Sequence, residues 1–209
     1  MNTFRVSLLA AASLATFSQP FRAFTAPVVF NLDPARSSIT LSGSVVGNAF
    51  KEQGPGSLIT SFSGTIAANL TGSTIQFIGG SAIDALSSGN WQPTTNGAAG
   101  NAPADYGGTA GNFLATAFAA GRNILVDVFS GPLPMTSGSF DSSRLAFSFP
   151  TNATSVLDYR VTGLLSASGS KPLVGLSTNR ITTVATLTTT AAGETITLPV
   201  DVEFFLILV

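Results

Sequence analysis

Through most of this sequence apolar and β-branched residues fall at every second position, in short runs separated by Gly, Ser, Asn or Pro. That spacing is the period of a β-strand, whose side chains point alternately to opposite faces, and it does not fit the 3.6-residue period of a helix. The clearest runs are 38–46, 58–70, 74–78, 123–129, 145–149, 156–162, 181–190 and 195–208. In the second of these Leu58, Thr60, Phe62, Gly64, Ile66, Ala68 and Leu70 share one face, while Ser61, Ser63 and Thr65 share the other. One face is therefore core and the other wet. The expected fold is all-β, an antiparallel sandwich or barrel of about 8–10 strands.

The wet faces carry hydroxyls in place of charge. Charged residues make up 9% of the chain, against roughly 25% in an average globular protein. Ser 25, Thr 25 and Gly 21 together make a third of it. Threonine suits this role twice, because its branched Cβ fits the pleat and its hydroxyl meets water, so 181–190 reads as an exposed sheet face.

Composition also removes chemistries. With His 0 there is no Ser-His-Asp or Cys-His machinery and no imidazole ligand for zinc. With Cys 0 there are no disulfides, thiolates or iron–sulfur ligands. A chain of 209 residues can bury a core without cross-links, so the lack of cysteine does not argue against export. Nine basic against ten acidic residues leave a net charge of −1 and no basic run to displace counterions from nucleic acid. No metal site and no cofactor are expected.

The N-terminus reads as a secretory signal. Arg5 supplies the positive start and 6–17 an uncharged apolar stretch of twelve residues, too short for a bilayer span. The expected division is a signal peptide over 1–25 and a single β domain over 26–209, placing the mature chain outside the cell or in its envelope. Pro27 disfavours a cut after Ala26, which leaves small-residue alternatives ending at Thr25 and Ser18. The other end finishes on six apolar residues after Glu203, read as a buried strand and too short for a membrane anchor.

Residues 87–112 hold six Gly, two Pro and four Asn without periodicity. They are read as one long loop, a length that tends to be functional or mobile. The loop holds the only tryptophan, Trp91, and one of the two tyrosines, Tyr106, and these are the candidate ligand-contacting residues. After it, 113–120 has helical propensity but β-rich neighbours, leaving strand and short helix open.

Carboxylate pairs could still hydrolyse glycosides without histidine. Asp201 and Glu203 would share one face of a strand, with carboxyls roughly 7 Å apart, but alternate with Val200, Val202 and Phe204 as a solvent face would. Asp84, Asp127 and Asp158 stand singly in strand-like runs, with Arg122 or Arg160 as cross-strand partners. Ser168-Gly169-Ser170-Lys171 has the Ser-x-x-Lys spacing of penicillin-recognising enzymes, but Gly169 and Pro172 make it a turn where that motif opens a helix. Gly54-Pro55-Gly56 is a turn without a phosphate-binding pattern, and Asn69 and Asn152 begin glycosylation sequons. No catalytic residue is assigned.

The leader and the opening 30–45 (FNLDPARSSITLSGSV) resemble secreted β-rich envelope proteins of the bacterial PEP-CTERM type, although the sorting tail is absent. Asn31-Leu32-Asp33-Pro34, Phe62-Ser63-Gly64-Thr65-Ile66 and Ser81-Ala82-Ile83-Asp84 are similar to the early strands of the YceI-like family, over residues 30–84. That resemblance implies a lipocalin-like barrel holding an isoprenoid-type lipid. Where that family commonly has histidine after Asp-Pro, this chain has Arg36. The expected function is an exported, non-catalytic structural or adhesive component, with an envelope polymer or a lipid as partner. The alternative is a small apolar-ligand carrier, a closed barrel with Phe62, Ile66 and Phe77 lining its cavity; a carboxylate-based glycan hydrolase ranks third.

Overall fold

The computed structural model describes residues 27–37, 44–45, 48–49, 51–52, 57, 59–87, 106–150, 155–164, 166–180 and 184–202. In chain order its strands are β1 (Val28–Asn31), β2 (Ser44–Val45), β3 (Asn48–Ala49), β4 (Lys51–Glu52), β5 (Ile59–Leu70), β6 (Thr74–Phe77), β7 (Ala82–Ser87), β8 (Tyr106–Gly111) and β9 (Ala115–Arg122). Then come β10 (Leu125–Phe129), β11 (Leu133–Thr136), β12 (Ser139–Asp141), β13 (Ala146–Ser148), β14 (Val156–Gly163), β15 (Ala167–Pro172), β16 (Leu176–Thr178), β17 (Val184–Thr190) and β18 (Gly193–Thr197). A 3-10 turn at Ser142–Arg144 joins β12 to β13. The all-β expectation holds. Among the described residues two antiparallel sheets form, β2 and β3 make a separate ribbon, and the strands do not close into a barrel, consistent with a sandwich.

The larger sheet is bent, and its registers show how. Ala68 of β5 pairs with Val28 of β1 and with Phe77 of β6, while Thr65 pairs with Asn31 of β1 and with Ala82 of β7. Two strand partners of one residue lie on opposite sides, so β6 and β7 both run along the side of β5 away from β1. They are two halves of one line, broken at Gly79 and Gly80, whose φ angles of 78° and 74° an L side chain would resist. The same break passes down the sheet. β10 and β11 line up against β7 and β6, then β13 and β12, then β16 and β17, with β18 closing the far edge. Strands that turn a corner together carry one sheet from one layer of a sandwich into the other.

The inner face of this bent sheet is the core. Phe62, Ile66, Ala68 and Leu70 are buried while Ser63, Thr65 and Ala67 between them are half-buried, as the alternation requires. Phe30, Ile75, Phe77, Val128, Leu133, Phe140, Phe147, Ala185 and Ile196 join them from the other lines. The Phe77 and Phe140 rings meet at 6.1 Å between centroids, tilted by 43°, a spacing typical of aromatic pairs. Phe62, Ile66 and Phe77, named above as the lining of a carrier's cavity, lie in this cluster at 3%, 3% and 0% exposure.

The five-stranded sheet, in the order β15-β14-β9-β8-β4, departs from the sequence reading at two places and decides a third that it left open. The last part of the expected 87–112 loop is strand β8, and 113–120 enters strand β9 at Ala115. Ser168 to Lys171, read as a turn, lies within β15, with Pro172 at the strand's end. The first two segments are rich in Gly and Ala and the third in Ser, residues that carry no apolar pattern of their own, and here neighbours supply the missing volume. Tyr106 sits opposite Gly121 with its ring where a β-carbon of that glycine would be, and Tyr159 covers Gly169 in the same way. An aromatic ring over a strand glycine shields backbone that would otherwise be bare.

At the C-terminal end the expected strand over 195–208 stops at Thr197, because Pro199 cannot donate to a ladder. Leu198, Val200 and Val202 still alternate into the core. Asn179, 4% exposed, replaces the lost ladder: its Nδ2 donates to the carbonyls of Pro199 (3.1 Å) and Ser142 (2.9 Å), and its Oδ1 accepts from Asp201 N (2.8 Å). Residues 1–26 and 203–209, with the signal-peptide reading and Glu203, lie outside the described residues.

Candidate functional site

A buried polar constellation lies across β9, β14 and β15. Asp158 faces Ala120 on one side and Ser170 on the other. Arg122, diagonally placed, meets the carboxylate with two hydrogen bonds, Nε to Oδ2 at 2.6 Å and a terminal nitrogen to Oδ1 at 3.0 Å. Ser170 Oγ donates to Oδ1 at 2.5 Å. The Asp158 side chain is 3% exposed and that of Arg122 27%. Of the two cross-strand arginines read from sequence, the register selects Arg122. Ser170 was not singled out as a partner, since its strand was read as a turn.

This geometry decides what the group can do. Burial pushes the Asp158 carboxyl up, but hydrogen bonds from Arg122 and Ser170, together with the guanidinium charge, outweigh it and hold the carboxyl below the ordinary aspartate range. The hydrogen bond from Arg122 in turn raises the arginine. A carboxylate with depressed pKa and three donors bound to it is a weaker proton acceptor than a free aspartate, which disfavours activation of the Ser170 hydroxyl as a nucleophile. The constellation is suited to pinning three strands together.

A second carboxylate pair emerges only from the register. Asp84 of β7 stands opposite Leu125, two residues from Asp127 on β10, so both acids leave the same outer face. Partial burial raises the Asp84 carboxyl. Asp127 accepts from Gly80 N (3.2 Å) and Ser81 N (2.9 Å), which satisfies backbone donors exposed by the bend after β6. Asp127 thus serves the corner of the sheet.

A groove of about 420 Å³ opens beside β12, lined by Pro134, Ser139, Phe140, Asp141, Ser143 and Val184. The hydroxyl of Ser143 and then its backbone N–H hold the Asp141 carboxyl below its ordinary range, and Asp141 caps the 3-10 turn through Ser143 N at 2.9 Å. With one anchored carboxylate, hydroxyls and apolar edges, it offers hydrogen bonds and van der Waals contact to a small ligand, without an acid–base pair.

The sequence candidates are dispersed. Trp91, Gly54 to Gly56 and Asn152 lie outside the described residues. Tyr106 is 5% exposed, belongs to the core and packs over Gly121. Asp201 faces Arg180 at 3.3 Å. Among the described residues no group of three or more acidic residues is placed to hold a metal, and no helix is long and apolar enough to cross a membrane. No protein-family model, curated protein or solved structure matches the chain, so these residues alone carry its functional reading.

Proposed function

We propose that this chain is an exported, non-catalytic structural or adhesive component of a cell envelope or extracellular layer. The observation that carries the reading is the use made of carboxylates. Asp158 is saturated by Arg122 and Ser170, Asp127 by two backbone N–H groups, Asp141 by its turn and Asp201 by Arg180. Each is tied to architecture. The leader-like N-terminus and the hydroxyl-covered strand faces support a place outside the cytoplasm. The groove beside β12 suits contact with a polymer bearing hydroxyls. The carrier reading finds less support, because among the described residues the strands do not close into a barrel and Phe62, Ile66 and Phe77 lie in the packed core.

The test is processing and placement. Expressed whole in a bacterium with a general secretion pathway, the chain should be recovered outside the cytoplasm with a new N-terminus between residues 17 and 27, read by intact-mass spectrometry. Recovery in the cytoplasm with the leader intact would overturn export. Glycan turnover by the wild type that Asp201→Ala abolishes would overturn the non-catalytic half.

A further inference from the structure

We propose that two adjacent turns at one end of the five-stranded sheet form a bilayer contact that inserts Phe113, Leu114 and Leu164 into the interface of uncharged lipid. The first turn joins β8 to β9 and the second follows β14. Phe113 is 94% exposed, Leu164 79% and Leu114 44%. Turns of this kind normally carry Gly, Asn, Asp or Ser, so a Phe-Leu pair at a hairpin tip runs against the local rule. A contiguous exposed apolar patch of a few hundred Å² is often a functional contact site.

The backbone holds these side chains together. Asn112 Oδ1 accepts from Leu114 N (2.9 Å) and Ala115 N (3.2 Å), and Asn112 N donates to Ala115 O (2.9 Å), which fixes the first turn. Leu164 N donates to Leu114 O at 3.0 Å, which ties the second turn to the first. That approach needs Gly163, whose φ is 125° and whose missing β-carbon would collide with the Leu114 carbonyl. The hydrogen bonds and Gly163 thus bring the three apolar side chains together on one tip.

Shape, size and charge choose the occupant. With Phe113 and Leu164 mostly exposed, the tip is suited to entering a soft phase or another molecule's groove and does not itself enclose a ligand. Together the three side chains offer roughly 400 Å² of apolar surface, with a buried aromatic contributing 150–250 Å². A stable protein pair buries about 800 Å² on each partner, twice what this tip supplies. Interfacial insertion of Phe and Leu into the boundary of headgroups and acyl chains asks for no such area. The described flanking residues Asn112, Thr116, Thr162 and Ser166 carry no charge, so anionic lipid gains nothing here.

The experiment sediments the purified full chain with phosphatidylcholine vesicles, with and without added phosphatidylglycerol, at low and high salt. The expected result is binding to phosphatidylcholine alone, insensitive to salt, and weakened at least about ten-fold by the Phe113→Ser, Leu164→Ser double variant, as the loss of two buried apolar side chains requires. Phe113→Trp should keep the affinity and show a blue-shifted emission component, absent from the wild type, when vesicles are added. An unchanged thermal midpoint in both variants confirms that the fold is intact. The proposal is overturned if the chain stays in the supernatant, if the double variant binds equally well, or if binding needs phosphatidylglycerol and is lost in salt. It is likewise overturned if sedimentation equilibrium shows a dimer that the double variant dissociates, since the tip would then serve a second copy. The readout uses purified protein and is independent of where the chain is exported.

Discussion

The two sheets solve the same problem with different side chains. The bent sheet fills its inner face with volume, from Phe30, Phe62, Ile75, Phe77, Phe140 and Phe147. Facing it, the five-stranded sheet offers Tyr106, Ala119 and Leu157 to the same cluster, from strands whose neighbouring positions are Gly107, Gly108, Ala120 and Gly121. Such strands gain little from packing, and the polar pin of Arg122, Asp158 and Ser170 sits among them. Where side chains are large, apolar contact specifies the sheet; where they are small, hydrogen bonds and rings over glycine take over.

The sharpest way to break this contrast is to remove volume from the bent sheet. Phe77 is fully buried, against Phe140 and at the corner where β6 ends, so truncation leaves a cavity that two layers of paired strands cannot easily close. Phe77→Ala should cost about 3–5 kcal/mol in chemical denaturation, the usual range for a buried phenylalanine. A loss below about 1 kcal/mol would mean that the layers are loosely packed and the contrast is false.

The second effect is smaller and pH-dependent. Asp158→Ala leaves the Arg122 guanidinium without its bidentate partner; since Arg122 keeps some access to water, a loss of about 2–3 kcal/mol is expected, below the figure for a fully buried pair. An Arg122→Leu, Asp158→Leu double variant should recover much of it, because the charge left unpaired is what costs most. The folded-state pKa of Asp158 is depressed, so its contribution is fully present above the ordinary aspartate pKa of about 3.9 and is lost as pH falls through the lower, folded value. The wild type should therefore lose more stability than Asp158→Asn on acidification below about pH 4, as followed by thermal melts. Parallel curves would assign the acid sensitivity to other carboxylates.

The same contrast explains what could be read from sequence. Runs with alternating bulk were legible: 58–70, 74–78, 123–129 and 156–162 coincide in the main with β5, β6, β10 and β14, and Phe62, Ile66, Ala68 and Leu70 face the core. Strands built of Gly and Ala were not, since Gly107, Gly108 and Gly111 signal a loop by propensity and become strand only through pairing with β9. Nor was the bend legible, because a line broken at Gly79 and Gly80 looks in sequence like two strands and a turn. The pin was half visible. Asp158 and Arg122 stood out as lone charges, while Ser170 is one hydroxyl among many until the register sets it beside Asp158.

The smallest expected effect concerns the irregular C-terminal segment, where packing and polar pinning meet. Arg180 and Asp201 join through paired backbone and side-chain contacts, Arg180 N to Asp201 O at 2.9 Å and the guanidinium to the carboxylate at 3.3 Å. The Arg180 side chain is 42% exposed and that of Asp201 28%, so water and salt screen the charge pair. The backbone bond survives substitution, and Asn179 continues to hold Asp201 N and the Pro199 carbonyl. Arg180→Ala should therefore cost no more than about 1 kcal/mol, and high salt should shrink the cost further. A salt-independent loss of about 2 kcal/mol or more, comparable with a buried pair, would show that this end is fastened by charge as the five-stranded sheet is, and that Leu198, Val200 and Val202 add less than their burial suggests.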